Sequence, residues 1–310
     1  MRRIILAPVD SSLGRSLFQY LSKNKRFRDF EIVGLSINDE EALSRPEEFE
    51  EAVQQTTIFL FELKYKLAEA QFALNVLDEV KFKEHKTFIL LSSFMTWVKT
   101  QKNDPEEAEE EGGPSLPAPF TEDDRKKRCP HQLFRDIIRF ERLAAAKNGT
   151  HRNRLHTSIL CNGHLYGDGE DAFHFWFRQA WEGPQFVAKE GKEDTGAIGT
   201  KLPIYGEGNN TLPCIHVRDV CQIAGHVITE PPSEPLLICV DEGRYTQKQI
   251  VETISKKLGT GETIHIDEDK YLQMPHTPYL VPDVPMIGNI VHSFEDITWH
   301  CPNLIKNIDM

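Results

Sequence analysis

The chain has 310 residues, with 36 Lys and Arg against 48 Asp and Glu, for a net charge of −12. Nucleic acid and anionic membrane surfaces both select a basic face, so this balance excludes a general binder of either. Hydrophobic residues make up 39% and no apolar run is long enough to cross a bilayer, which predicts a soluble protein with one large core or two modest ones.

Met1, Arg2 and Arg3 lead straight into an apolar run, without the apolar core and small-residue site of a secretory signal. Cys129, Cys161, Cys214, Cys221, Cys239 and Cys301 form no C-x-x-C pair. Their spacing fits neither a zinc site nor a secreted disulfide framework and predicts reduced thiols in a cytosolic compartment.

Arg3–Ala7 predicts a strand, Pro8–Gly14 a turn, and the residues from Arg15 a helix. A strand, a tight loop and a helix open a dinucleotide-binding fold, in which glycines let the backbone approach a pyrophosphate at the helix N-terminus. Only Gly14 is in place. Pro8 and Ser11 stand where a G-x-x-G-x-x-G loop would put its first two glycines. Pro8 removes an N–H and adds a ring, and Ser11 adds a side chain. Ser11, Ser12 and Gly14, with the helix N-terminus, are what the loop retains for holding a phosphate.

Phe30–Leu35 predicts a second strand. Asp39, a little late for a ribose ligand, reads as a helix cap in the acidic stretch 38–41. Thr57–Leu63 and Thr87–Ser93 predict buried strands, separated by a helix with Leu67, Ala70, Ala73, Val76 and Val80 on its apolar face. Strands alternating with helices predict a parallel sheet wrapped on both sides. Residues 104–121 hold Glu106, Glu107, Glu109, Glu110 and Glu111, followed by glycines and prolines. They predict a mobile acidic surface loop, either a solvated insertion or a docking element for a basic partner.

Residues 132–146 have helical periodicity and Leu155–Cys161 reads as a strand. The aromatic stretch 172–181 predicts core packing, and 189–201 a second insertion. Beyond it come a helix over Val220–Ile228 and a strand over Leu236–Val240. Thr246 and Gln249 then form a capping box for a helix over Gln247–Leu258, and Glu262–Ile266 reads as a last short strand. The tail after Lys270 has no periodicity. The pattern as a whole predicts an α/β fold. A Rossmann-like doubly wound parallel sheet lies within 1–200, and a smaller C-terminal lobe, 201–310, packs on it as one unit.

Three stretches carry a resemblance: the opening strand, loop and helix; Tyr166-Gly167-Asp168-Gly169 after a strand; and Leu202–Gly208 running on to His216, Val217, Arg218 and Asp219. Over roughly residues 1–270 the chain resembles an extended short-chain dehydrogenase/reductase, the family of nucleotide-sugar epimerases. Phe88–Trp97, Pro119–Asp123 and the 202–219 segment further resemble the reductase-like, non-kinase region of an axonemal adenylate kinase of motile cilia. No G-x-x-x-x-G-K-[ST] loop occurs in the sequence, so the resemblance carries no expectation of kinase activity.

Active members of the resembled family use a tyrosine with a lysine four residues later on one helical face, and a serine or threonine at the end of the preceding strand. Ser92 and Ser93 are candidates for the serine. No tyrosine occurs between Tyr65 and Tyr166, and the helix over 132–146 offers Leu133 or Phe134 followed by Ile137 or Ile138. Neither pair has a proton to give or a cation to hold. Phe61–Lys64 also lacks the small and amide residues that sit near an adenine and ribose in the family. His216 and Asp219 read as a structural hydrogen-bonding pair, and the scattered histidines as no metal site.

The expectation is a pseudoenzyme with no catalytic residue, cofactor or metal. Its partners would be other axonemal proteins, with no nucleic acid, membrane or small-molecule substrate. One rival is an adenine-dinucleotide sensor using Ser11, Ser12 and Gly14. The other is an NAD(P)-dependent epimerase or reductase with an atypical acid, depending on Ser92 or Ser93.

Overall fold

The computed structural model describes residues 2–39, 41–105, 117–169, 172–182, 201–272, 274 and 277–308. The elements run β1 (Arg2–Ala7), α1 (Ser12–Lys23), β2 (Phe30–Gly34), α2 (Glu41–Ser44), α3 (Pro46–Gln55), β3 (Ile58–Glu62), α4 (Leu63–Glu79) and β4 (Lys86–Ser93). They continue with α5 (Arg135–Ala146), α6 (Thr150–Asn153), β5 (Leu155–Asn162), β6 (His164–Tyr166), α7 (His174–Glu182), β7 (Leu202–Tyr205), β8 (Thr211–Leu212) and β9 (Cys214–His216). After these come α8 (Val217–Thr229), β10 (Leu236–Cys239), β11 (Tyr245–Thr246), α9 (Gln247–Leu258) and β12 (Thr263–Ile266). Most of the acidic loop, 106–116, and of the insertion over 189–201 lies outside the described residues.

Six strands form one parallel sheet in the order β10-β5-β4-β3-β1-β2. A parallel sheet is covered on both faces, so its strands are apolar at nearly every position. Successive side chains alternate between two cores. Ile5, Phe59, Phe61, Phe88 and Leu90 join one, under α4 and α5; Ile4, Leu6, Leu60, Ile89 and Leu91 join the other, under α1 and α8. Phe59, Phe61 and Phe88 pack ring on ring at 5.4 to 6.5 Å. Each such buried ring contributes roughly 1.5–3 kcal/mol.

α1 starts at Ser12, earlier than the periodicity predicts, because Ser11 caps it by accepting the Gly14 N–H at 2.8 Å. Its stripe of Leu13, Leu17 and Leu21 meets α8, where Gly225 leaves room for Tyr20. β3 likewise ends a residue early and runs directly into α4. Lys66 kinks the start of this helix: it is buried, pairs with Glu69 at 2.8 Å and donates to the Asp39 carbonyl at 2.7 Å. Thr246 and Gln249 form the expected capping box on α9.

The third core is the lobe, built from Tyr166, Phe173, Trp176, Leu202, Ile204, Leu212, Ile250 and Ile254 among others. Phe173 and Trp176 stack at 5.7 Å inside it, so that part of the aromatic stretch is core, whereas Trp181 is 80% exposed. The tail is ordered where it crosses the body. Residues 296–304 form a strap over the start of α8, held by side chains rather than by a ladder.

Candidate functional site

The carboxyl ends of the central strands open onto a cleft of about 400 Å³. In open α/β sheets this crevice is where ligands bind. Its head is the β1–α1 loop. Ser11 is 4% exposed; besides capping α1, its hydroxyl donates to Glu62 Oε2 at 2.7 Å. A carboxylate beside the first turn of α1 takes the favourable potential that a phosphate would use there. Asp10 accepts from the Ser36 hydroxyl at 2.5 Å and the Ile37 N–H at 2.7 Å, so it bolts the loop to the end of β2. The hydrogen bond from Ser36, foremost, holds the Asp10 carboxyl below its ordinary range. Gly14 is required by packing, since a Cβ there would lie 2.0 Å from the Pro8 carbonyl oxygen.

The structure thus brings Ser11, Ser12 and Gly14 together at the head of α1, with all three engaged by the protein. Ser11 serves Gly14 and Glu62, Ser12 reaches the Gly169 carbonyl at 3.4 Å, and Gly14 abuts Pro8. Asp39 follows a turn after β2, where its N–H donates to the Ser36 carbonyl.

Deeper in the cleft, Phe134, just before α5, and Ile137 on it form one wall, and Ser93, Asn162 and His164 the strand-end floor. Leu133 is 69% exposed, so Phe134 is the member of the predicted pair that faces the site. Ser92 is buried and donates to Glu141, which receives Arg128 at 2.6 Å; Arg128 lies over the Trp97 ring at 5.4 Å. Ser93 accepts the Met95 N–H at 3.2 Å and caps a short turn. Burial pushes His164 down to about 4, so its imidazole is neutral near pH 7. The Asn162 Oδ1 and His164 Nε2 atoms are buried and have no hydrogen-bond partner among the described residues.

The two later sequence motifs form a single unit. β6 pairs with β9, which sets Tyr166 opposite His216. Gly167 is necessary because a Cβ would meet His216 Nε2 at 2.0 Å. Arg218 clamps Asp168 with bonds of 2.7 and 2.6 Å. His216 caps α8 by accepting the Arg218 N–H, and burial lowers it to about 4. Asp219, fully buried, accepts the His300 N–H at 2.6 Å, the Cys301 N–H at 3.2 Å and the Gln222 amide at 3.2 Å. Both residues therefore hold structure, but each through its own partners rather than as the hydrogen-bonding pair that the sequence suggested. Among the described residues no group of three or more His, Cys, Asp or Glu side chains is placed to bind a metal.

Sequence reasoning missed Asp10, Glu62, Arg128 and Glu141. Glu62 carried a visible signal, an acid at the end of a buried strand.

No protein-family model matches the chain. Adenylate kinase 7 of Mus musculus is 29% identical over 241 residues, 76% of this chain and 36% of the relative. Adenylate kinase 7 of Macaca fascicularis is 32% identical over 127 residues, 41% of this chain and 21% of the relative. The chain therefore spans about a third or less of the curated relatives it matches. Among solved structures, dTDP-glucose 4,6-dehydratase from Bacillus anthracis in complex with NAD superposes with a TM-score of 0.68 at 12% identity, covering 100% of this chain and 94% of that one. GDP-mannoheptose C4 reductase from Campylobacter jejuni with NADP gives 0.66 at 14%, covering 99% and 96%. A human epimerase family protein with NADPH gives 0.64 at 14%, covering 100% and 98%. Among the described residues no helix is long and apolar enough to cross a membrane. The chain has the Rossmann-like fold of the extended short-chain dehydrogenases/reductases and is similar, over 76% of its length, to adenylate kinase 7.

Proposed function

We propose that the chain is a non-catalytic, reductase-like docking subunit of a ciliary or flagellar axonemal assembly, working through other axonemal proteins. The observation that carries the non-catalytic part is the bolted loop. Asp10 and Glu62 place two carboxylates around the head of α1, where a dinucleotide would need room and positive potential for its phosphates. The acid–base machinery is also missing: Phe134 and Ile137, which line the cleft, are apolar, and neither Leu133 with Ile137 nor Phe134 with Ile138 offers a phenol and an ammonium. The axonemal setting rests on the similarity to adenylate kinase 7 and on what that resemblance implies. Kinase chemistry is left out, since the sequence has no phosphate-binding loop of the kinase type.

The test has two parts. NADH or NADPH fluorescence should stay unchanged at about millimolar dinucleotide, weaker than ordinary cofactor affinity. A tagged chain should remain with axonemes after detergent extraction; a wholly soluble chain would sink the docking reading. A second reading, a dinucleotide-binding sensor or an atypical reductase, is favoured by one observation: the cleft beyond the loop stays open, with Ser93, Asn162 and His164 at its floor. A saturable rise in NADPH fluorescence would promote it.

A further inference from the structure

The sheet ends differently at its two edges. At the β10 edge, Glu122 is buried and its carboxylate accepts the Ile238 N–H at 3.1 Å and the Asn289 N–H at 3.2 Å. At the β2 edge, β1 is the only strand paired with β2 among the described residues. In a parallel ladder alternate residues face the same neighbour. Leu35 donates to the Leu6 carbonyl and its own carbonyl receives Val9 N–H, so residues 31, 33 and 35 face β1. Phe30, Ile32 and Gly34 consequently turn their peptide groups outward. Among the described residues nothing bonds the Ile32 or Gly34 N–H. Gly34 is exposed, and Phe30, Ile32 and Val33 are only half-buried.

An open strand edge with apolar side chains is a template for one more strand. Its rim selects the charge of the incoming segment. In a chain of net charge −12, basic residues outnumber acidic ones around the Phe30 end of the edge, where Arg2, Lys25 and Arg28 stand against Asp29 and against Glu31, which Arg3 pairs at 3.1 Å. The Arg2 guanidinium lies 5.7 Å from the Phe30 ring centroid, Lys25 is exposed, and the Arg28 side chain is 73% exposed with a loose 3.9 Å pair to Asp29. The other end carries the Asp10 carboxylate. We infer that β2 is a docking edge that takes an extended, acidic–apolar segment of a partner protein as a seventh strand, with the segment's acidic residues at the Phe30 end. Main-chain bonds to Ile32 and Gly34 supply affinity, and the apolar and basic surroundings supply selectivity. This deepens the docking reading above by naming the surface.

Proline distinguishes the outward N–H from packing. Ile32→Pro removes a donor that no ladder bond uses, which an edge strand tolerates. Ile32→Ala loses comparable packing and keeps the donor. The probe is a short fluorescein-labelled peptide alternating Val and Glu, read by fluorescence polarisation, with a Val and Lys peptide as control. The Val and Glu peptide should bind the intact chain and the Ile32→Ala variant within about threefold of each other, and Ile32→Pro at least about tenfold more weakly. Hydrogen exchange on the intact chain should show the Ile32 and Gly34 amides fast alone and slowed by the peptide. The inference is overturned if the peptide does not bind, if Ile32→Pro binds as well as Ile32→Ala, or if both amides are already protected in the free chain. These readouts are independent of axonemal retention, so the edge and the docking role fail separately.

Discussion

Two pairs of acidic side chains sit at opposite ends of this molecule's logic. Asp10 and Glu62 surround the head of α1 at the rim of the cleft, near water. Asp219 and Asp241 lie buried beneath the strap. Asp241 is within 3.1 Å of the Tyr166 hydroxyl, which is also 3.0 Å from the Cys301 carbonyl. Its neighbour Tyr245 receives the Leu304 N–H at 2.8 Å. The first pair occupies ground that a ligand would need. The second satisfies backbone groups that would otherwise be stranded. The difference teaches that acidic side chains in one fold can serve two ends, fixing a loop at the rim of a cleft and clasping a strap in the interior. It also gives the two regions opposite responses to acid, since Asp10 is held low by its hydrogen bonds and Asp241 is pushed up to about 8 by burial.

The largest effect that separates the regions should come from Asp219→Ala. It strands two amides of the strap and should cost about 3 kcal/mol in urea unfolding. A loss as small as that of a surface substitution would mean the strap is not clasped. Asp241 sharpens the comparison through pH. The folded chain keeps this proton to about pH 8, whereas an unfolded carboxyl releases it near 3.8, so the folded state holds more protons between these values. Stability is therefore greatest below that window and falls as pH rises through it. Asp241→Asn removes a slope of about 1.4 kcal/mol per pH unit, and urea midpoints at about pH 5 and about pH 7 should then converge. The smallest effect belongs to Asp10→Asn. A lowered carboxyl contributes stability above its unfolded value and loses it as pH falls, and near water the whole change should stay below about 1 kcal/mol. A thermal scan at acid pH that distinguishes the variant by much more would break the contrast.

The sheet was legible because buried parallel strands are continuous apolar runs, and Ile4, Phe59 and Leu90 announce themselves that way. The capping box of Thr246 and Gln249 was legible because it is local. Leu133, Phe134, Ile137 and Ile138 narrowed the acid–base position to a few residues, and only the fold shows that Phe134 and Ile137 face the cleft. The bolting of the loop was not legible, because Ser11 and Glu62 are 51 residues apart and no period links them. Ser92 reads in the sequence as a candidate for the family's serine, and only the fold shows that α5 brings Glu141 to its hydroxyl. The tail had no pattern to read, since the order of residues 296–304 is imposed from outside.

That clasp has a consequence for how the strap can change. The Gln222 amide donates to the Thr298 carbonyl at 2.6 Å and receives its N–H at 3.2 Å, while Asp219 receives the amides of residues 300 and 301. Every one of these contacts reads main chain, so the receptor side is fixed and much of the strap is anonymous. Thr298 is free to drift in identity provided the peptide path is kept, whereas Gln222 and Asp219 are not, nor is His300, whose ring packs on His216 at 4.6 Å and meets Arg218 at 3.3 Å. At Thr298 the strap is gripped as a bound peptide is, by its shape rather than its spelling, while Asp296 and His300 are held by their side chains as well.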